Sequence, residues 1–384
     1  MDFELQDQQK ALQEGVRVFV ENEFTKEIVD SYELHNKEGF SWDLYKKLAD
    51  LGILKAPIPE KYGGLGLDTL TCVLIMEELS RGWTGASLSM FAVPCTLYAD
   101  PIIRFGTKEQ IEKYITPLIK GEVLGAFALT EPNAGSWSAN QQTRAELEGD
   151  HYILNGEKIF ITNCGLAKYS VVFARTQIVP DKLHKGISAF IIDSESLGFS
   201  WKVEDKLGQK VSLFGSIILQ DCKVPIENLL GSEGEGTKIA LSTLDNGRVF
   251  IAAQALGIAQ RAFEEAVKYA KERVQFSKPI SSFGTIQEKI ANMKVDLLAS
   301  RHLTYHAAWL KDNQKPFSQV ASLAKLHATE AACRITDSAV QIHGGYGYCK
   351  EYPVSRLWVE ARALPLYEGT SEIQRIIIAK EELK

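Results

Sequence analysis

The stretch His151-Tyr-Ile-Leu-Asn155-Gly156-Glu-Lys158-Ile-Phe-Ile-Thr162 decides the architecture, because it is β-rich sequence set in a chain that otherwise reads as helix. Apolar runs flank Asn155-Gly156, and Asn-Gly takes the positive φ values of a tight type I′ turn, so the pattern predicts a hairpin turning there. Alternation sends Phe160 and Thr162 to one face. Further strands are expected at Ser170 to Arg175, Ile187 to Asp193 and Ser216 to Leu219, each bounded by turn residues.

Upstream, apolar residues three and four apart predict helices at Gln6 to Phe24, Trp42 to Leu51, Thr69 to Arg81 and Lys108 to Ile119, the last with Thr107 as N-cap. Downstream, a helix over about 239 to 273 carries Ile251, Ala255, Ile258, Ala262, Ala266 and Ala270 on one stripe. Helices over about 285 to 312, 317 to 343 and 371 to 382 complete a four-helix bundle. The expected fold is α+β, mostly α. It has an N-terminal α-helical domain at 1–120, a middle β-domain at 121–231 and a C-terminal four-helix bundle at 232–384.

The chain's 384 residues leave room for two or three domains, and 45% hydrophobic with 24% charged residues is ordinary globular usage. A formal net charge of −6 provides no general attraction to nucleic acid or anionic lipid, so neither is an expected partner. Neither Gly231-Ser-Glu-Gly-Glu-Gly236 nor Gly344-Gly-Tyr-Gly347 matches a dinucleotide fingerprint or a P-loop, and there is no GxSxG or HExxH. His302 and His306, four apart on a helix, lack a third ligand, so no metal is expected. Six cysteines without a CxxC pair read as reduced thiols. The start Met1-Asp2-Phe3-Glu4-Leu5 has no targeting pattern, and no apolar run of about 20 residues stands out, so the expected compartment is cytoplasmic.

Three separated segments carry the chemistry: Ala128-Leu-Thr-Glu-Pro-Asn-Ala-Gly-Ser136, Gln341-Ile-His-Gly-Gly-Tyr-Gly-Tyr348 and Tyr367-Glu-Gly-Thr-Ser-Glu-Ile-Gln-Arg375. Together they resemble the flavin-dependent acyl-CoA dehydrogenase family, closest to its short-chain or butyryl-CoA members. Leu244-Asp-Asn-Gly-Arg248 and Glu272-Arg-Val-Gln-Phe276 extend the likeness over the whole chain. The resemblance implies FAD as cofactor, and as substrate a short, branched, cyclic or aryl-bearing acyl-CoA. It also implies an electron-transferring flavoprotein as redox partner and a homo-oligomer, a dimer of dimers.

Residue by residue, it makes Glu368 the base that removes the α-proton of the thioester, while hydride leaves the β-carbon for flavin N5. The Glu368 backbone N–H and a flavin ribityl hydroxyl would polarise the carbonyl. Gly369 frees the backbone, and Thr370 is a good N-cap for the next helix. By the same likeness Phe127, Leu129, Thr130 and Ser136 lie along the isoalloxazine, with Ser136 also near the pantetheine arm. Phe160 covers the ring, with Ile161 beside it, and Thr162 reaches N5. Arg273, beside Phe276, holds the diphosphate, a role suited to guanidinium. Gln341, Gly344 and Gly345 meet the adenine half from a neighbouring subunit, and Thr370 and Glu372 add contacts. Asp245, Arg248, Tyr367 and Gly369 face the substrate.

The same residues serve an enoyl-CoA reductase running the reaction backwards. A flavin oxidase or monooxygenase and a non-catalytic relative are the other readings on this fold. Departures from the family pattern fall at Leu213, Phe214, Trp137, Gly284, His343, Trp358-Val359 and Leu364-Pro365-Leu366. The added aromatic and apolar bulk predicts a reshaped acyl pocket, with neutral drift around an ordinary short-chain pocket as the alternative.

Overall fold

The computed structural model describes residues 4–35, 39–179 and 181–384, so the opening Met1-Asp2-Phe3 lies outside them. Helices fill the first part, a sheet the middle, and long helices the rest. The four predicted N-terminal helices occupy Asp7–Glu23, Trp42–Asp50, Thr69–Gly82 and Lys108–Ile119. Thr107 caps the last as expected: its hydroxyl accepts from the Gln110 N–H at 3.2 Å, and the Gln110 side chain accepts from the Thr107 N–H at 3.0 Å.

In the first part of the chain, two helical segments escape a search for periodicity, as does Pro353–Ala361 further on. One is the short Lys26–Glu33 helix. The other is Thr84–Phe105, 22 residues apolar enough to cross a membrane by length and composition, with 89% of its window buried inside the protein. Its central turns, Leu88–Ala99, are wound as a π-helix around Pro94 and are buried on every side. This corrects the expectation that no apolar run of such length exists. A helix apolar all round has no face for a periodic search to find, and burial on every side marks it as a core element.

The sheet has β1 (Gly125–Ala128), β2 (Arg144–Glu148), β3 (His151–Thr162), β4 (Tyr169–Arg175), β5 (Ile187–Asp193), β6 (Phe199–Val203), β7 (Phe214–Pro225) and the short β8 (Leu229–Leu230). Its order is β6-β7-β3-β2-β4-β5-β8, with β1 parallel to β4. Alternation sorts β4 between two cores. Val171 and Phe173 pack towards Tyr98, Ile102 and Tyr114 of the helices, while Val172 and Ala174 pack with Leu154, Phe190 and Ile217.

The expected hairpin at Asn155-Gly156 does not form. Residues 151 to 162 make one strand, and the turn falls at Gly149-Asp150, joining β2 to β3. Asn155 is used across the sheet instead: its side chain donates to Asp221 Oδ1 at 3.1 Å and accepts from the Asp221 N–H at 2.9 Å. The register slips there and again between Lys158 and Ile161. Phe160, with φ 58°, sits in that second irregularity. Lys158 and Ile161, three apart, are both buried, so alternation breaks between them and resumes with Phe160 exposed, Ile161 buried and Thr162 half-buried, the order expected for Phe160 and Thr162 on one face.

In the bundle, Gly236–Glu272 packs on Gly284–Asp312 and Ser318–His343, and the latter also packs on Ser371–Glu382. The predicted stripe from Ile251 to Ala270 is fully buried. Small side chains let the helices approach closely: a Cβ on Gly257 would stand 2.2 Å from the Glu77 carbonyl oxygen of the Thr69–Gly82 helix.

Candidate active site

The loop Tyr367-Glu368-Gly369-Thr370 sits between the helix Pro353–Ala361 and the last bundle helix, Ser371–Glu382. Glu368 and Gly369 both have positive φ, 51° and 91°. That conformation costs on the order of 1–2 kcal/mol at a residue bearing a Cβ, so surrounding contacts must hold Glu368 in it. They are present. Lys325 Nζ donates to the Gly369 carbonyl at 2.8 Å, and the Gln374 amide donates to the Gly369 and Glu368 carbonyls at 2.9 and 3.3 Å. Thr370 caps the following helix by accepting from the Ile373 N–H at 3.4 Å.

The carboxylate is aimed inward. Glu368 Oε2 is buried with no hydrogen-bond partner, and the Glu368 N–H also has none among the described residues. Room for the carboxylate comes from Gly247, where a Cβ would stand 2.1 Å from Glu368 Oε2 and 3.0 Å from Leu97 Cδ2. Burial pushes the Glu368 pKa up to about 7, against the pull of the Lys325 and Arg248 charges. Arg248 donates to Asp245 Oδ1 at 2.5 Å, and Ser318 donates to the same oxygen at 2.9 Å. The Tyr367 hydroxyl is taken by Gln254 Oε1 at 2.9 Å. Asp245, Arg248, Tyr367, Glu368 and Gly369 thus gather in one place, joined by Gly247 and Lys325, for which no role was read from the sequence.

A second group lies on the sheet. The ammonium of Lys158, fully buried in β3, donates to the Leu129 carbonyl at 3.1 Å, Glu131 Oε1 at 2.7 Å and Gln141 Oε1 at 2.9 Å. Burial works against the Glu131 carboxylate. The Lys158 ammonium and the Gln142 and Thr143 N–H groups outweigh it and hold the Glu131 pKa below its usual value. With Ile159 N–H donating to the Thr130 carbonyl at 2.9 Å, this pair fastens the Leu129-Thr130 loop to β3. Beside it Phe160 is 61% exposed and stacks nearly parallel on Phe214, with centroids 5.6 Å apart. Ile161 is buried and Thr162 half-buried. Phe127 instead packs edge-on against Phe173, and Ser136 is exposed.

A third group closes a groove of about 600 Å³ at the far end of the bundle, lined by Arg273, Phe276, Gly344 and Gly345 among others. Arg273 has no ion pair among the described residues and lies 5.4 Å over the Tyr346 ring. Gly344 and Gly345 face open space, so a ligand can approach their backbone. Gln341 is exposed nearby on the helix Ser318–His343 but does not line the groove. His343 is buried, stacked on Tyr269 at 4.1 Å, and Glu372 is exposed in the first turn of the last helix.

Among the departures, Leu364 belongs to the core, Trp137 and Trp358 are 62% and 45% exposed, and Gly284 begins the helix Gly284–Asp312. No cluster of three metal-binding side chains exists among the described residues.

An unpaired guanidinium with open glycine backbone in one groove fits a diphosphate and its nucleoside. An exposed aromatic face beside a tethered loop fits a flat ring system. Together with an inward carboxylate poised near neutrality, these features define a flavin-dependent oxidoreductase.

The chain matches the acyl-CoA dehydrogenase N-terminal domain over residues 6–122, the middle domain over 126–222 and the C-terminal domain over 234–383. It belongs to the acyl-CoA dehydrogenase family and uses FAD. It is 47% identical over 382 residues to a short-chain specific acyl-CoA dehydrogenase of Clostridium acetobutylicum, covering 99% of each chain. It is 44% identical over 379 residues to a 3-(aryl)acrylate reductase of Clostridium sporogenes, covering 98% of this chain and 99% of the relative. Among solved structures, butyryl-CoA dehydrogenase from Megasphaera elsdenii superposes with a TM-score of 0.95 at 44% identity over the full length of both chains. A chain in the structure of the electron transferring flavoprotein of Acidaminococcus fermentans superposes with a TM-score of 0.96, again at 44% identity over the full length of both.

Proposed function

We propose that this chain introduces a double bond α,β to the thioester carbonyl of a short acyl-CoA, with Glu368 as the base. The observation that carries this is the buried, unpartnered Glu368 Oε2 beside two cationic side chains. A base works best when its pKa lies near the operating pH, and burial brings this one to about 7. Glu368 takes the α-proton. Its own backbone N–H and the N-terminal dipole of the helix that Thr370 caps stabilise negative charge on the thioester oxygen as the proton leaves. Arg248, fixed by Asp245, faces the same space. Bound FAD supplies the acceptor for the hydride that leaves the β-carbon. Thr130, Phe160 and Thr162 would hold its ring, and Arg273, Phe276, Gly344 and Gly345 its diphosphate and adenine.

The Glu368 carboxylate and the Arg273 groove stand far apart along one helix. From Gly247, beside the carboxylate, to Arg273 the helix advances 26 residues, about 39 Å at 1.5 Å per residue, which an extended dinucleotide does not span. This separation supports the reading that each FAD is shared between two chains, in a dimer or a dimer of dimers. An electron-transferring flavoprotein, of the kind present in the Acidaminococcus structure, is the proposed electron partner, and the proposed compartment is the cytoplasm.

One preparation tests this reading. The holoprotein should scatter light as a dimer or larger with one FAD per chain. It should oxidise butyryl-CoA faster than isobutyryl-, cyclohexanoyl- or phenylpropanoyl-CoA, with kcat/KM rising through about pH 7 as Glu368 ionises. A monomer, or a profile flat across that range, overturns it. A clear preference for the phenylpropanoyl thioester would instead favour the chemistry named in the aryl-acrylate reductase relative.

A second test concerns Gly247. Gly247→Ala puts a methyl group where Glu368 Oε2 now sits, and the helix backbone cannot yield. Displacing a reacting group by about 1 Å costs about 100-fold, so kcat should fall by that order with FAD retained. An unchanged kcat would show that the carboxylate works from another rotamer.

A further inference from the structure

We propose that Lys325 is a positioning residue for the reaction: its buried ammonium holds the Glu368-Gly369 turn and supplies the positive charge that keeps the Glu368 carboxylate ionised. The inference rests on Glu368 being the base.

Lys325 lies within the helix Ser318–His343 and is fully buried. A buried ammonium is costly unless an anion compensates it, yet its hydrogen bond goes to a neutral group, the Gly369 carbonyl, at 2.8 Å. The anion that most strongly favours its charge is Glu368, on the same turn as that carbonyl. The dependence is mutual: burial pulls the Lys325 pKa down to about 8, with Glu368 the strongest influence in the other direction. Lys325 is in turn the strongest influence opposing burial at Glu368, ahead of Arg248.

The other charges around the pair do not replace it. Arg248, from the helix Gly236–Glu272, is committed to Asp245 at 2.5 Å. Glu330, on Lys325's own helix, pairs with Arg375 at 2.7 Å, and Glu372 is exposed on the last helix. Glu360, on the helix Pro353–Ala361, pairs with Arg356 at 3.3 Å. Tyr367 directs its hydroxyl to Gln254. Gln374 gives the turn a second tether, so the turn survives loss of Lys325 while the charge does not.

The test compares kcat/KM against pH for wild type, Lys325→Met, Lys325→Gln and Lys325→Arg as FAD-loaded enzymes. Loss of the charge raises the Glu368 pKa further. In the Met and Gln variants the rise in kcat/KM should therefore move up by about one pH unit, about a fivefold loss at pH 7 that approaches tenfold in more acid solution. FAD content should be unchanged. The Arg variant keeps the charge and should stay nearer the wild-type profile. If Lys325→Met does not fold, Lys325→Gln, which keeps a hydrogen-bond donor, carries the comparison.

Profiles of the Met or Gln variants that superpose on wild type overturn the inference. Glu368→Gln separates the two levels. Turnover retained there removes the base and this inference with it, whereas turnover lost there with unshifted Lys325 profiles removes the inference alone.

Discussion

Glu368→Gln should bind FAD as tightly as the parent chain and lose dehydrogenation by about 10² to 10⁴, the range typical for loss of a positioned base. The amide fills the same space beside Gly247 and sits on the same doubly tethered turn, so the flavin-side residues are untouched. What it lacks is a lone pair basic enough to accept the α-proton. The loss should appear in the reductive half-reaction, followed as bleaching of flavin absorbance on mixing with butyryl-CoA. Near-parental bleaching would place the base on another side chain.

Lys158→Met should be the most damaging single change to stability. It removes one member of a fully buried ion pair and leaves Glu131 charged among groups that cannot neutralise it. Breaking such a pair from one side costs about 3–5 kcal/mol. The Leu129-Thr130 loop loses its tether as well, so flavin should be released at a lower urea concentration than in the parent. Lys158→Met with Glu131→Gln should recover part of the loss, since no buried charge is then stranded. A urea midpoint unchanged by the single substitution would show that water reaches Glu131.

These two cases also show what the sequence could and could not reveal. The Glu368 loop was legible through the family resemblance of Tyr367-Glu-Gly-Thr370, and the glycine after the carboxylate, the threonine cap and the helix that follows gave that resemblance a physical sense. The Lys158–Glu131 pair was not, since its members are 27 positions apart and meet only once β3 is in register beside the loop. Gly247 was quoted in a motif, but its purpose is steric and needs the opposing carboxylate to be seen. Lys325 reads as one more helical lysine until burial singles it out.

The fold divides similarly. The longer helices with one apolar face were placed within a few residues of their observed limits, while the short Lys26–Glu33 and Pro353–Ala361 helices were missed. Thr84–Phe105, apolar nearly throughout, has no such face, and it carries prolines at 94 and 101. At Asn155-Gly156 two interpretations competed for one dipeptide. The long partner strand β7 decided it, because Asn155 gains two cross-strand hydrogen bonds with Asp221 that a turn would forgo.

The weakened acidity of Glu368 has a meaning for the protein as a material. In the unfolded chain this carboxyl titrates near its ordinary 4.5, and in the folded chain near 7. The folded form therefore holds the proton more firmly. The stability this lends is complete below about pH 4.5 and is lost as pH rises through about 7. Under working conditions the ionised base weakens the fold that carries it. The inactive Glu368→Gln chain should thus melt at a higher temperature than the active one at pH 8, with the two converging in acid.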